Sequence, residues 1–194
     1  MYISPGNSRM KIPTFSLPEI KTCEGATDLC KKYCYAKKAG NWKAPKISRL
    51  NNLKESKCES FIGDSVKIIK KSKSKYIRIH EAGDFYSQEY LEKWFEICRK
   101  VPDKKFLAYT QMYDLDYSKQ PKNLTIYWSV WPDTDKSKLP KKGLFAYVVD
   151  AGKDKIPKYT IRRKTHECQK NGEIGCEKCL YCYEGKGNVR FKLH

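Results

Sequence analysis

The 194-residue chain carries 40 lysines and arginines against 22 acidic residues, a formal charge of +18 with a pI near 9.5. With 40% hydrophobic and 13% aromatic residues it can build a true core, which excludes wholesale disorder. Met1 to Met10 has no apolar stretch, and nothing approaches the roughly 18 consecutive apolar residues of a membrane helix. The expectation is therefore a cytoplasmic protein without a membrane partner, whose nine cysteines are reduced and open to metals rather than paired.

Lys11 to Leu17 (KIPTFSL) reads as a first strand, weakened by Pro13. A cysteine-bearing segment comes next, Cys23 to Cys34, and Thr27 and Asp28 are placed to cap a helix over Leu29 to Lys38. Pro45 opens a second helix to about Cys58, and Ser60 to Lys70 continues the helical region. The period then changes. Tyr76 to His80 (YIRIH) alternates as a strand does. Ser87 suits an N-cap, with Tyr90, Leu91, Trp94, Phe95 and Cys98 along one helical face and Pro102 as the stop. Phe106 to Tyr109, Thr125 to Val130 and Leu144 to Val149 read as three more buried strands. Beyond Asp150 the composition turns polar and glycine-rich.

This order predicts an α/β fold with a mainly parallel sheet of about five strands, either open or a partial barrel. A complete eight-fold barrel takes about 250 residues and is too large. Residues 1–150 would form the α/β domain, and 151–194 a cysteine-rich metal-binding module packed on it.

Two cysteine groups carry the chemistry. Cys23, Cys30 and Cys34 lie after a strand and at a helix start, a place that favours thiolates. Three thiolates held close can bind a [4Fe–4S] cluster and leave one iron open. Cys168, Cys176, Cys179 and Cys182 end in C-x2-C-x2-C, as in bacterial ferredoxins, with Cys168 as fourth ligand; zinc is the alternative there. One or two clusters are thus expected. His166 and His194 are weaker alternative ligands, while Cys58 and Cys98 sit on apolar helical patterns and read as core. His80, Glu81, Gly83 and Asp84 (HEAGDF) come directly after a strand, where ligands bind in parallel α/β folds. They are candidates for cofactor binding, with His80 and Asp84 also candidates for proton transfer. Thr110, Ser129, Asp133 and Asp150 occupy similar strand ends, and Trp128 and Trp131 flank Ser129.

The segments NSRM, TFSLP, C-x6-C-x3-CYA, H-x2-GDFYS, WSVWPDTD and C-x2-C-x2-C resemble the phage-associated gene product 88 domain, from Asn7 to the C-terminus. That resemblance implies a phage or mobile-element origin, hence the host cytoplasm, rather than a particular reaction. More distantly the chain resembles radical S-adenosylmethionine enzymes, which place a three-cysteine loop after the first strand and a glycine–acid motif after the second. That likeness implies S-adenosylmethionine near Glu81, Gly83 and Asp84, an auxiliary cluster at the C-terminal cysteines, and an electron donor as partner. The spacing departs from theirs, C-x6-C-x3-C against C-x3-C-x2-C. A nucleic acid or nucleotide substrate suits the charge. The competing class is a non-catalytic, zinc-stabilised nucleic-acid-binding protein.

Overall fold

The computed structural model describes residues 1–7, 10–150, 152–153, 155–168 and 174–193. His194, and Ser8 and Arg9 of the NSRM segment, lie outside the described residues.

One eight-stranded sheet organises the chain, in the order β1-β2-β3-β4-β5-β6-β8-β7. Its strands are β1 (Ile3–Ser4), β2 (Thr14–Phe15), β3 (Tyr76–Ile79), β4 (Lys105–Thr110), β5 (Leu124–Val130), β6 (Leu144–Val149), β7 (Thr165–Glu167) and β8 (Asn188–Lys192). Only the edge pair β1–β2 is antiparallel; all other neighbours are parallel. The sheet is mainly parallel, as expected, but it has eight strands rather than about five. The additional ones are β1 and β7, too short to show an alternation, and β8, in which Val189 and Phe191 alternate with polar residues. β7 and β8 join the sheet of the first 150 residues, with β8 paired to β6 through Ala146↔Val189.

Five α-helices lie between β2 and β4, and a further single turn of α-helix, Cys176–Cys179, lies between β7 and β8. The stretch expected as one helix over Leu29 to Lys38 is two short ones, α1 (Asp28–Lys32) and α2 (Ala36–Gly40). Thr27 caps α1 by accepting from the Cys30 amide, so the predicted cap is present. α3 spans Lys43–Glu55, α4 Phe61–Lys71 and α5 Gln88–Lys100. Ser87 caps α5, its hydroxyl accepting from the Tyr90 amide.

The two faces of the sheet have different fates. One face carries Ile77, Ile79, Phe106, Ala108 and Ile126, which pack with Phe61 and Ile69 of α4 and Leu91, Trp94, Phe95 and Cys98 of α5. This is the main core, and it is dense in edge-on ring contacts; Trp94 meets Phe15 at 5.3 Å and Phe61 at 5.8 Å between centroids. Cys98 is buried there as expected, whereas Cys58 is exposed in the turn between α3 and α4. The opposite face carries Leu107, Tyr127, Ala146 and Val189, covered by Tyr183, Leu180 and the C-terminal cysteines.

Glu19 and Arg49 make an ion pair at 2.8 Å with little exposure, and the same Arg49 nitrogen donates to the Ala36 carbonyl. That pair ties the segment after β2 to both α2 and α3. No helix is long and apolar enough to cross a membrane among the described residues.

Trp94 is fully buried at the junction of α5, α4 and β2. Trp94→Ala is expected to cost about 3–5 kcal/mol in chemical denaturation. A loss below about 1 kcal/mol would mean the helix layer does not rest on this ring.

Candidate functional site

Parallel pairing puts the carboxyl ends of consecutive strands on one rim. The rim is built from the segments at those ends: the cysteine loop after β2, His80 to Asp84 after β3, Gln111 and Met112 after β4, Trp131 to Asp133 after β5. These segments are laced together by side chain to backbone hydrogen bonds.

Asp84 is the knot. It is 5% exposed, and one carboxylate oxygen accepts from the Phe85 amide at 2.7 Å while the other accepts from Gln111 N at 2.9 Å. Thr110 donates to it as well. Burial nevertheless outweighs these bonds and pushes its pKa up to about 6. The β3 and β4 ends are thereby locked. Gly83 next to it has φ +86, and a Cβ there would stand 2.5 Å from Leu17 Cβ and 2.7 Å from Thr22 Oγ1. Only glycine lets this turn close on the segment that leads to Cys23.

The cysteine loop is held by three strand ends. Gly25 N donates to the Met112 sulfur at 3.1 Å, and a Cβ on Gly25 would lie 2.4 Å from the Gln111 carbonyl oxygen. Thr27 N donates to Gln111 Oε1, Leu29 N donates to Asp133 Oδ2 at 2.9 Å, and the Tyr35 hydroxyl donates to the Glu81 carbonyl. Asn7 Nδ2 donates to Glu81 Oε1 at 2.7 Å, bringing the N-terminal segment to the same rim.

His80 is placed differently from its neighbours. With φ +61 it breaks the strand alternation, and its ring lies among Phe85, Tyr90, Trp94 and Phe15 on the helix-covered face. Its Nε2 is 2.9 Å from the Tyr90 hydroxyl, while Nδ1 is buried with no partner among the described residues. Burial, helped by the Arg78 charge, lowers its pKa to about 3, so the ring is neutral. What His80 offers the rim is its carbonyl, which accepts from Arg78 Nε at 3.1 Å. Thr110 is also committed, accepting from Met112 N and donating to Asp84. Ser129 lines the cavity, and its carbonyl accepts from the Tyr113 hydroxyl. Asp150 binds the backbone amides of Lys153 and Lys155.

Between the rim and the C-terminal segment lies a cavity of about 790 Å³. Its wall includes Cys23, Cys30 and Cys34 together with Cys168, Cys176, Cys179 and Cys182, and also Glu81, Gly83, Asp84, Thr110 and Ser129. All seven cysteines are half-buried thiols rather than disulfides. Burial pushes Cys23 and Cys30 up to about 12, with Asp84, Cys30 and Cys34 raising Cys23 further and Cys34, Asp84 and Asp133 raising Cys30. Cys182 rises to about 11 by burial, with Cys168 and Cys176 adding to it. Desolvated thiols gathered on one wall are a donor set that gives up its protons readily only to a metal centre, whose positive charge would balance the thiolates. Among the described residues, no group of three His, Cys, Asp or Glu closes tightly enough on one point to hold a metal ion. The thiols share a wall rather than a finished coordination shell. His166, the weaker alternative, stacks on Tyr181 at 4.2 Å.

Sequence reading missed Gln111, whose side chain meets both the Thr27 amide and Cys30, and Arg78. Gln111 has no motif to mark it; its position one residue past β4 was the available signal.

The gene product 88 family model matches residues 3–177, a range that ends before Cys179 and Cys182. The chain is 28% identical over 194 residues to the Gene 88 protein of Mycobacterium phage L5, covering 88% of this chain and 81% of that one. It is 27% identical over 195 residues to the Gene 88 protein of Mycobacterium phage D29, with the same coverage. No solved structure matches.

Asp84→Asn would set an amide NH2 against one of the two backbone N–H donors. The expected loss is about 1–3 kcal/mol in a denaturant titration. Unchanged stability would show that the carboxylate does not lock the β3 and β4 ends.

Proposed function

The chain belongs to the gene product 88 family, and we propose that its Cys23–Cys30–Cys34 loop holds an iron–sulfur cluster in a radical S-adenosylmethionine-like enzyme. The observation that carries the reading is the shared cavity: three thiols from the loop after β2 and the HEAGDF turn after β3 line one space of about 790 Å³. That volume is in the range of small-molecule sites. The sequential parallel order β2-β3-β4-β5-β6 supports it too, because a partial barrel needs each strand beside its predecessor with every carboxyl end on one rim; beyond β6 the order changes, β8 entering ahead of β7.

When bound, such a cluster supplies one reducing electron to a sulfonium cofactor. The residues do the rest. Gly25, Thr27 and Leu29 fix the loop backbone through Met112, Gln111 and Asp133. Asp84 and Gly83 set the turn that faces the thiols, and Glu81, held by Asn7, presents a carboxylate at the rim. Leu107, Ala146 and Val148, with Trp131, give the wall apolar surface that excludes water. Cys168, Cys176, Cys179 and Cys182 would hold a second cluster or a zinc ion, and in either case pin the segment between β7 and β8 over the sheet. A nucleotide or nucleic acid substrate fits the +18 charge.

The zinc-stabilised, non-catalytic nucleic-acid-binding alternative accounts for the charge and the C-terminal thiols. It gives no role to an N-terminal triplet and a glycine–acid turn on the wall of the same cavity.

The test is electron paramagnetic resonance of the reduced protein. Added S-adenosylmethionine should perturb one cluster signal, and Cys30→Ser should abolish that response while leaving the fold intact by circular dichroism. Signals indifferent to the cofactor in the wild type would remove the radical mechanism.

A further inference from the structure

Arg78 projects from β3 on the face of the sheet opposite Ile77 and Ile79, into the cavity. Its guanidinium carbon sits 4.1 Å from the centroid of the Tyr109 ring, and its Nε donates to the His80 carbonyl. Stacking and that single bond hold the planar group in one orientation and leave the terminal nitrogens for something else. The groups that bear most on its charge are Tyr109, Tyr35, Tyr183 and Cys176. No carboxylate pairs with it among the described residues. Three acids of the cavity wall have other places: Glu19 is on Arg49, Glu81 on Asn7 and Asp84 on backbone amides, while Glu177, whose buried Oε2 has no hydrogen-bond partner among the described residues, makes no ion pair with Arg78. A half-buried guanidinium with no counter-charge among the described residues gains from a partner of opposite charge. Tyrosine hydroxyls can donate to an anion beside it but cannot neutralise the cation.

From this we infer that the cavity takes a ligand bearing a carboxylate or phosphate group, bound by the terminal nitrogens of Arg78. Planar, two-toothed recognition of either oxyanion is what a stacked guanidinium provides. The inference names the ligand class of the cavity already described and rests on that cavity being a ligand site. It does not depend on which metal the cysteines hold.

The experiment melts the anaerobically purified protein and Arg78→Met with inorganic phosphate or citrate against chloride at equal ionic strength. Chloride corrects for the general attraction of anions to a +18 surface. Methionine keeps an unbranched stem over Tyr109. Phosphate or citrate should stabilise the wild type with an apparent affinity at least about tenfold tighter than the variant shows. Preference for citrate assigns a carboxylate ligand and preference for phosphate a phosphorylated one. Equal stabilisation of both proteins would overturn the site. Loss of bound metal from Arg78→Met would also overturn it, because the arginine would then be the counter-charge of the C-terminal thiolates. If the variant does not fold, wild-type crystals soaked in tungstate decide: an anomalous peak within hydrogen-bond reach of Arg78 supports the site, and its absence there overturns it. An Arg78-dependent anion effect in protein that binds no iron would keep this inference and remove the proposed cluster enzyme.

Discussion

The parallel register of five strands taken in chain order, β2 to β6, is the constraint on which everything else depends. Register pairs such as Arg78↔Leu107 and Ala108↔Ile126 carry each strand in the same direction as its predecessor. Every connection must therefore begin at one edge. A short chain gains from this: loops far apart in sequence become neighbours without any long-range covalent link. The cost is that the rim is made of backbone with unpaired amides. Asp84 meets that cost by accepting from an amide after β4, and Gln111 and Asp133 by accepting from amides of the cysteine loop after β2.

The two faces of the sheet divide the labour. The face under α4 and α5 is apolar and carries the stability, with Trp94, Phe15 and Phe61 in mutual edge contact. The other face is closed by the C-terminal segment, and its residues are mixed: Leu107 and Ala146 beside Arg78, Tyr109 and Tyr127. Tyr127 donates to the Gly187 carbonyl at 2.8 Å and Thr125 to the Tyr183 carbonyl at 3.1 Å, so the sheet itself holds that segment down. Metal at Cys168 to Cys182 would add to a docking that hydrogen bonds already begin.

How much of the fold and the site was legible in the sequence varies by residue. α5 was plain because its apolar residues recur at helical spacing from a serine cap. β3 to β6 were plain because aromatic and β-branched residues run together. β7 (THE) carries no apolar residue to announce a strand, and its place comes from pairing with β8, which is a tertiary effect; β8 (NVRFK) does alternate, with Val189 and Phe191 between polar residues, a signal the polar composition of the tail obscured. The break between α1 and α2 was hidden because residues on both sides favour helix. Arg78 was passed over since an arginine alternating with isoleucines reads as the solvent side of a strand. Here that second side lines a cavity. His80 misled in the opposite sense: a positive φ turns its ring out of alternation and into the core, and no spacing rule signals that. The cysteine spacing was visible at once, but its shared wall with HEAGDF depends on register and could only be expected.

Whether the cysteine-lined cavity holds iron rather than zinc decides the proposed chemistry. The most direct measurement is the Mössbauer spectrum of protein produced with 57Fe and purified without oxygen, alongside elemental analysis for zinc. The expected result is the quadrupole doublet of a [4Fe–4S] cluster, diminished by the iron of one cluster when Cys23, Cys30 and Cys34 are all replaced by alanine. A protein that carries stoichiometric zinc and no such doublet would contradict the iron–sulfur assignment.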